Sequence, residues 1–307
     1  MIKAKPFIKW AGGKADLLQK IESCLPDCFQ NENNITYVEP FLGGGAVLFH
    51  MLETHRDRLS KIIISDINED LIACYRIIQS NPKPLIKQLE ILQAQYDACQ
   101  TRDQQGELYY EIRRLYNSHN VKGVKRAAQF IFLNHTCYNG LYRENNKGEF
   151  NVPCAYYKHP SIVNKEILEA DHKALQGVTI LCGDYQNVLE HIEQLPVFVY
   201  LDPPYRPLHE HANNFKKYNR MDFGDLEQER LQRFCNGLTE RRYYMMQSNS
   251  DSRNTDDTSY FENIYYAYEV ETVVAIRNIN PYAETARKQT EVLIRNYRGD
   301  EIIHPRV

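Results

Sequence analysis

Residues 35–66 read ITYVEPFLGGGAVLFHMLETHRDRLSKIIISD, and this stretch decides the fold. Two short runs rich in β-branched residues, Thr36–Val38 and Lys61–Ser65, are bounded by turn residues and are typical of buried strands. Between them, three glycines precede a helical pattern, AVLFHMLETH. The order strand, helix, strand predicts two parallel strands joined by a helix, because parallel strands need a long crossover connection.

The same alternation continues along the chain and predicts an open α/β sheet. Further buried strands are expected at Val178–Leu181, Val197–Leu201 and Tyr243–Gln247. Aromatic-rich runs at Tyr265–Val274 and Glu291–Tyr297 are expected to close the sheet as edge or hairpin strands.

Strand signals stop between Pro84 and Arg126, where the pattern is helical. We therefore expect a mostly helical module at residues 70–165, inserted into a sheet domain built from residues 1–69 and 166–307.

Composition restricts the class of protein. Hydrophobic residues make up 43% of the 307 residues and charged residues 25%, as in ordinary globular proteins, and no apolar run approaches the roughly 18 residues of a membrane span. The start, MIKAKPFIKWAGGK, lacks a secretory pattern, so a cytoplasmic protein is expected. Eight cysteines without a C-x-x-C pair favour reduced thiols, and no bound metal is expected.

Charge is unevenly distributed. The whole chain has a net charge of −3, but residues 102–165 contain ten Lys or Arg against five Asp or Glu. A basic segment in an otherwise acidic chain suits a polyanionic partner, and an ordinary solvated face is the alternative.

The strongest motif is Asp202-Pro203-Pro204-Tyr205, which directly follows the predicted strand VFVYL. Ligands of open α/β sheets bind at the carboxyl ends of strands, so this turn lies where chemistry is expected. A planar amine could donate one hydrogen to the Asp202 carboxylate and the other to the Pro203 carbonyl, while Tyr205 offers a face for stacking a heterocycle. The alternative is a strand-ending turn with a capping aspartate.

Two glycine-containing motifs suggest a nucleotide-like cofactor. Glu39-Pro40-Phe41-Leu42-Gly43-Gly44-Gly45 follows the first strand, and Asp66 ends the next strand, where an acidic residue suits ribose hydroxyls. This spacing is typical of nucleotide-binding βαβ units. The glycines do not form the G-x-G-x-x-G pattern, so phosphates need not be bound. Near the start, PFIKWAGGK places the only tryptophan before a Gly pair and a lysine.

An exposed loop or hairpin is predicted within the basic segment, at Leu133–Pro153. Asn139-Gly140 and Asn146-Lys147-Gly148 are turn signals, which would put Tyr138, Tyr142 and Arg143 near an exposed tip. Arginine can bridge two acceptors of guanine, and tyrosine can fill the space of an extruded base. An ordinary surface hairpin is the alternative.

Together these motifs resemble those of the Dam family of DNA adenine-N6 methyltransferases. The similarity runs, in the family's order, through PFIKWAGGK, YVEPFLGGGAV, SDIN, YNGLYR to NVP, GDY, YLDPPYRPL, QSNSD and ARKQTEVLIRNY, and so spans nearly the whole chain. The resemblance implies a Rossmann-like, S-adenosylmethionine-dependent methyltransferase sheet whose insertion is a target-recognition domain. It also implies methyl transfer to an adenine flipped out of duplex DNA, in many members within GATC.

The resemblance further implies roles for individual residues. The methionine side of S-adenosylmethionine would be lined by Trp10, Ala11, Gly12, Lys14, Glu39, Phe41 and Gly43. Asp66 would hold the ribose, Asp184 and Tyr185 the cofactor's adenine, and Asp202, Pro203 and Tyr205 the target adenine. Tyr138, Asn139 and Arg143 would read DNA, and we expect Lys125 and Lys158 to contact phosphates. One departure is Ala155, where relatives often have an arginine before the tyrosine that matches Tyr156.

Several alternatives remain open at the level of sequence. An RNA adenine or a protein amide could bind at the same Asp202-Pro203-Pro204-Tyr205 turn, although Asp202 and the basic insertion favour nucleic acid over a protein amide. The chain could also be a DNA-binding regulator with an inactive methyltransferase fold, but no proposed catalytic position is replaced. A covalent cytosine-C5 mechanism is disfavoured, because no Pro-Cys dipeptide ends a strand. Whether a cognate restriction endonuclease acts on the same site is left open.

Overall fold

The computed structural model describes residues 2–10, 12–205, 223–251, 260–276 and 288–303, and the strands found there form two sheets. The large sheet consists of β1 Ile35–Glu39, β2 Leu59–Asp66, β3 Thr179–Cys182, β4 Val197–Leu201, β5 Tyr244–Ser250, β6 Glu269–Ile276 and β7 Lys288–Arg295. These strands lie in the order β3-β2-β1-β4-β5-β7-β6. A small ribbon pairs β8 Tyr297–Arg298 with β9 Glu301–Ile302.

The first five strands of the large sheet are parallel. β1 pairs with β2 and β4, β2 pairs with β3, and β4 pairs with β5. β7 is antiparallel to both of its neighbours, β5 and β6. The predicted strands are confirmed, except that the run predicted at Tyr265–Val274 becomes a strand only from Glu269. Of the two C-terminal runs only β6 forms an edge, because β7 is inserted between β5 and β6.

Both faces of this sheet are covered, which explains the continuous apolar runs in its strands. Tyr37 on β1 belongs to one apolar core and Val38 to the other, and on β4 Phe198 and Tyr200 alternate with Val199 in the same way. Side chains alternate along a strand, so a strand with two packed faces has no polar positions to expose.

The α-helices in the described part of the chain are α1 Leu18–Ser23, α2 Cys28–Asn31, α3 Ala46–Thr54, α4 Glu69–Ser80, α5 Lys83–Asp97, α6 Arg102–Asn117, α7 Gly123–Thr136, α8 Lys165–Ala174, α9 Asp225–Glu240 and α10 Tyr260–Ile264. Short 3₁₀ helices occur at Ala15–Leu17, Tyr138–Gly140 and Tyr185–His191. Local chemistry sets several helix starts. Asn68 caps α4 by accepting a hydrogen bond from Leu71 N, and Thr101 with Gln104 forms a capping box at α6.

The predicted helical insertion contains α5, α6 and α7, followed by a hairpin. α7 packs against α4, α5 and α6. α4, which the predicted boundary at residue 70 assigns to the insertion, also packs against β2 and β3. The apolar core on one face of the sheet therefore continues through α4 into the insertion. None of the helices described is long and apolar enough to cross a membrane.

Candidate active site

A cleft of about 1590 Å³ opens at the carboxyl ends of β1, β2 and β4. Its lining includes an acidic residue at or just after the end of each of these strands, namely Glu39, Asp66 and Asp202. The strands are parallel, so their carboxyl ends lie along one edge, where ligands of such sheets bind. From there the cleft extends along the insertion past Tyr116 and Arg126.

The glycines after β1 are required by close contacts. Gly43 has φ +50°, and a Cβ atom there would lie 2.7 Å from Cδ1 of Trp10. Gly45 has φ +74°, and its Cβ would lie 2.5 Å from the Tyr75 hydroxyl. Asp66 holds this turn, because one carboxylate oxygen accepts a hydrogen bond from Gly43 N at 2.9 Å and the other accepts from Asn68 N at 2.9 Å. A turn fixed in this way presents backbone atoms to the cleft.

The segment that contains Trp10 joins the cleft to the insertion. Trp10 stacks on Tyr142 with ring centroids 5.9 Å apart. The buried Asn134 side chain accepts from Lys9 N at 2.9 Å and donates to Lys9 O at 2.7 Å and Gly140 O at 3.0 Å. The Asn134 side chain therefore connects the segment that contains Trp10 to the turn after α7.

Asp202 lies just after β4 and has two partners. Lys14 Nζ is 2.7 Å from Asp202 Oδ1, and Ser248 Oγ donates to the same oxygen at 3.1 Å. The Lys14 side chain is buried and also donates to Gly12 O at 2.7 Å. The Gly12-Gly13-Lys14 turn is thus tied directly to the D-P-P-Y motif.

Tyr205 is fixed at two points. Lys14 Nζ lies 4.8 Å from the centroid of its ring, a cation–π contact. Its hydroxyl donates a hydrogen bond to Glu291 Oε2 at 2.7 Å. At the neighbouring Pro204, the carbonyl accepts a bond from Gln228 Nε2 at 3.4 Å.

Burial raises the pKa of three carboxyl groups of the cleft. Burial raises the pKa of Asp202, while the Lys14 ammonium and the Ser248 hydroxyl oppose this rise. Burial raises the pKa of Glu39 to about 8, even though Tyr37 donates a 2.6 Å hydrogen bond to it. Burial also raises the pKa of Asp66, against the bonds from backbone amides. The Lys14 ammonium favours the ionised form of Asp202, in which both oxygens act only as hydrogen-bond acceptors.

Asp184 and Tyr185 also line the cleft. Asp184 accepts from Gln186 N at 3.0 Å and from the Arg230 guanidinium at 2.8 Å. Arg230 lies 4.9 Å from the centroid of the Tyr185 ring, and that ring packs on Phe41 at 5.0 Å. An aromatic face and a carboxylate that accepts two hydrogen bonds suit a planar, amine-bearing group.

The predicted DNA-reading residues lie outside this cleft lining. Tyr138 and Asn139 are exposed, and Arg143 Nε donates to Asn151 Oδ1 at 2.7 Å beside the hairpin pair Glu144–Phe150. Lys125 and Lys158 are also exposed.

Tyr142 is placed differently from the prediction. The tip of the hairpin is a turn in which Gly148 N donates to Asn145 O at 2.9 Å. Tyr142 instead packs inward against Trp10, Phe130 and Phe150, because its large ring is buried more favourably there than in solvent. Its prediction at an exposed tip is wrong.

The predicted cofactor and target residues lie together in the lining of the cleft: Trp10, Gly12, Lys14, Glu39, Phe41, Gly43, Asp66, Asp184, Tyr185, Asp202, Pro203, Pro204 and Tyr205. Ala11 lies outside the described residues. Sequence reasoning missed Arg230, Ser248, Glu291 and Asn134. Ser248 and Glu291 lie within the family-like stretches QSNSD and ARKQTEVLIRNY. The sequence therefore pointed to these stretches, but it predicted no role for either residue. Arg230 lies in an ordinary helical pattern, which gave none.

Fold and site together define a class of protein. A Rossmann-like sheet with an antiparallel strand between β5 and β6 carries an Asp-Pro-Pro-Tyr turn beside a glycine loop. These are the features of a methyltransferase. The protein is an enzyme of this class.

Comparison with known proteins identifies the family. The chain belongs to the D12 class N6 adenine-specific DNA methyltransferases, whose family model matches residues 10–279. It is 43% identical over 299 residues to the Type II methyltransferase M.MjaIII of Methanocaldococcus jannaschii, covering 96% of this chain and 100% of that relative. It is 33% identical to the Type II methyltransferase M1.LlaDCHI of Lactococcus lactis subsp. cremoris, covering 96% of each chain. It is also 33% identical to the DNA adenine methylase of Escherichia coli K12, covering 95% of each chain. The resemblance inferred from the motifs is confirmed, and the protein is an adenine-specific DNA methyltransferase.

Proposed function

We propose that the enzyme transfers a methyl group from S-adenosylmethionine to the N6 amine of an adenine flipped out of duplex DNA, within the cleft between the glycine loop and Asp184. The observation that carries this proposal is the position of Asp202. Its carboxylate lies at the edge of the sheet, bonded to Lys14 of the cofactor motif, in the same cleft as Gly43 and Asp66.

The cleft suits S-adenosylmethionine in its chemistry. At Gly43 a Cβ atom would lie 2.7 Å from Cδ1 of Trp10, so the glycine lets the Trp10 ring pack directly on the turn, and both residues line the cleft. Carboxylates at Glu39, Asp66 and Asp184 match a cofactor with an ammonium group, ribose hydroxyls and an exocyclic amine rather than phosphates. When bound, the cofactor supplies a methyl group on a sulfonium that is already strongly electrophilic.

Residues of the chain would hold this cofactor at three places. Trp10, Gly12, Lys14, Glu39, Phe41 and Gly43, together with Ala11, would surround its amino-acid portion. Asp66 would accept from the ribose in addition to fastening the glycine turn. Asp184 would accept from the adenine amine, with Tyr185 and Phe41 supplying an apolar wall.

The target amine would be held by the Asp202-Pro203-Pro204-Tyr205 turn. Asp202 accepts one of its hydrogens and the Pro203 carbonyl the other, which draws the nitrogen lone pair out of conjugation with the ring. Tyr205 stacks on the base, as aromatic side chains do for unstacked bases. The protein's contribution is alignment and exclusion of water, because the methyl donor needs no further activation.

Asp202→Ala tests this assignment. The variant should keep its affinity for cofactor and DNA but lose methyl transfer by at least about 100-fold, because the acceptor that orients the amine is removed. The measurement is transfer of labelled methyl groups from S-adenosylmethionine to unmethylated plasmid DNA, beside calorimetric binding of the cofactor.

A matched control is Glu229→Ala, which removes an exposed carboxylate on α9 outside the cleft lining and should behave as the unmodified enzyme. Near-normal methyl transfer by Asp202→Ala would show that the reaction does not depend on Asp202.

We further propose that residues 70–165 form the target-recognition domain for duplex DNA. Support comes from the basic charge of this segment and from the exposure of Tyr138, Asn139, Lys125 and Lys158. GATC is the first target to test, since the family resemblance implies it for many members. Mapping of methylated adenines by sequencing would give the target directly.

A cognate restriction endonuclease that cuts the same target is a proposed partner, supported by the Type II names of two relatives. The cytoplasm is the proposed location. If the endonuclease exists, DNA methylated by this enzyme should resist it while unmethylated DNA is cut.

A further inference from the structure

A buried carboxylate of the central sheet lies behind the proposed seat for the target base. Glu291 on β7 is 3% exposed, and the residues that follow it, Val292, Leu293 and Ile294, are buried in the apolar cores. Burying a carboxylate in such a place costs free energy unless hydrogen bonds compensate. The stretch around Glu291 belongs to a motif of the sequence that the methyl transfer described above does not use.

The hydrogen bond from Tyr205 links a turn to the rigid sheet. Tyr205 ends the Asp-Pro-Pro-Tyr turn, whereas Glu291 is held in register opposite Ser250 of β5. The 2.7 Å bond from the Tyr205 hydroxyl to Glu291 Oε2 therefore connects the base seat to the β5–β7 pair.

The bond also restricts the plane of the Tyr205 ring. A tyrosine side chain has two rotatable bonds, so its ring is oriented only when contacts fix both. Here Lys14 Nζ lies 4.8 Å from the ring centroid and the hydroxyl is bound at the far end of the ring. Glu291 is also close enough to Asp202 for its negative charge to raise the pKa of that carboxyl.

We propose that Glu291 is a positioning residue for methyl transfer: by accepting the Tyr205 hydroxyl, it holds the ring in the plane on which the target adenine stacks while its amine meets Asp202. This inference rests on the proposed base seat. Glu291 itself lies outside the cleft lining, and in this role it acts through Tyr205 rather than on the base.

Kinetics of single and double variants test this role. Glu291→Ala and Tyr205→Phe should each lower the single-turnover rate of methylation about 10- to 100-fold, because small misplacements of reacting groups cost rate steeply. The Kd for DNA should change little. Combining the two substitutions should cost no more than either alone, since both remove the same bond. Glu291→Gln should recover most of the rate, because its amide oxygen still accepts.

A spectroscopic measurement separates positioning from general destabilisation. With 2-aminopurine in place of the target adenine in a duplex of the mapped sequence, emission reports whether the flipped base is stacked. Glu291→Ala should shift this emission towards the value given by Tyr205→Ala. Glu271→Gln is the matched control, because Glu271 lies on the neighbouring strand and contacts Lys20 and Arg295 instead, so its rate and emission should be unchanged.

The outcomes distinguish this inference from the function on which it rests. Unchanged methylation and emission in Tyr205→Ala would show that the target base does not stack on Tyr205, and the proposed base-binding site would then be wrong. An impaired Tyr205→Ala together with unimpaired Glu291→Ala and Tyr205→Phe would overturn only the role of Glu291, as would fully additive losses in the double variant. If Glu291→Ala does not fold, a normal rate in Tyr205→Phe overturns the inference and a reduced rate, with Glu291→Gln near normal, supports it.

Discussion

Acidic residues that are partly or fully buried in this protein differ in what compensates their burial. Asp202 has Lys14 beside it, and Asp66 accepts two backbone hydrogen bonds. Asp171 on α8 is fully buried and accepts a bond from Lys5 N at 3.1 Å, while its second oxygen has no hydrogen-bond partner among the described residues. Burial accordingly raises the pKa of Asp171 to about 8.

This pKa predicts a pH dependence of stability. In unfolded chains an aspartate has a pKa of about 3.9, so between about pH 4 and 8 the folded protein binds a proton at Asp171 that the unfolded chain has lost. The free energy of unfolding contributed by this residue must then fall as pH rises through that window. Asp171→Asn, which resembles the protonated form, should flatten the decline.

The measurement is urea unfolding of both proteins at several values between pH 5 and 9. Asp57→Asn, which alters an exposed carboxylate, serves as the control and should leave the slope as it is in the unmodified protein. Parallel stability curves for Asp171→Asn and the unmodified protein would show that Asp171 is ionised in the folded state.

At the scale of elements, the hairpin after α7 is attached at its base, where Tyr138 and Asn139 are exposed. Cys137 and Cys154 face each other at the base, and Glu144 pairs with Phe150 nearer the tip. Gly140, with φ +62°, packs so closely that a Cβ atom would lie 2.5 Å from Cβ of Lys9. The hairpin is thereby oriented by the segment that contains Lys9 and Trp10.

Substitutions of Arg143 and of the lysines in the insertion should differ in their effects on DNA binding and on target discrimination. If Arg143 bridges a guanine, Arg143→Ala should cost about 1–3 kcal/mol on the preferred target and relax discrimination at one base pair. Lys125→Ala and Lys158→Ala should weaken binding to all sequences alike and flatten its dependence on salt. Methylation rates on a panel of single-base variants at two salt concentrations distinguish these effects. A uniform loss across the panel for Arg143→Ala would assign that residue to phosphate contact.

At the scale of the whole molecule, the sheet and the insertion share one apolar core. That core contains Tyr37 and Phe198 of the sheet, Tyr75 of α4, and Tyr109 and Phe132 of the insertion. Trp10, the only tryptophan, packs on this core and stacks on Tyr142 of the hairpin. A shared core couples the unfolding of the parts that contribute to it.

We therefore expect the described sheet and insertion to unfold in one cooperative transition. Tryptophan fluorescence, which reports the junction at Trp10, and circular dichroism, which reports the helices, should give the same midpoint in urea. Tyr142→Ala should lower that midpoint in both signals together. Separate midpoints for the two signals would mean that the insertion unfolds independently.

The sequence predicted where the strands lie along the chain, and it also contained the glycine motif and the Asp-Pro-Pro-Tyr motif. Each of these features could be recognised because it depends on local chemistry. Apolar runs such as Val197–Leu201 indicate strands buried on both faces, and a run of glycines indicates a turn in close contact with other groups. Since carboxyl ends of parallel strands share one edge, the meeting of Asp66 and Asp202 in one cleft also followed from sequence. The membership of the methyltransferase family was determined at this level.

Only the tertiary structure decided contacts between positions far apart in the chain. Four such contacts are the insertion of β7 between β5 and β6, the packing of Tyr142 on Trp10, the pairing of Lys14 with Asp202 and the bond from Tyr205 to Glu291. The residues that they join are tens to hundreds of positions apart. No local pattern encodes such pairs, because each is selected by the packing of whole elements against one another. The sequence alone therefore determined which chemical groups the site contains, and packing determined which of them support one another.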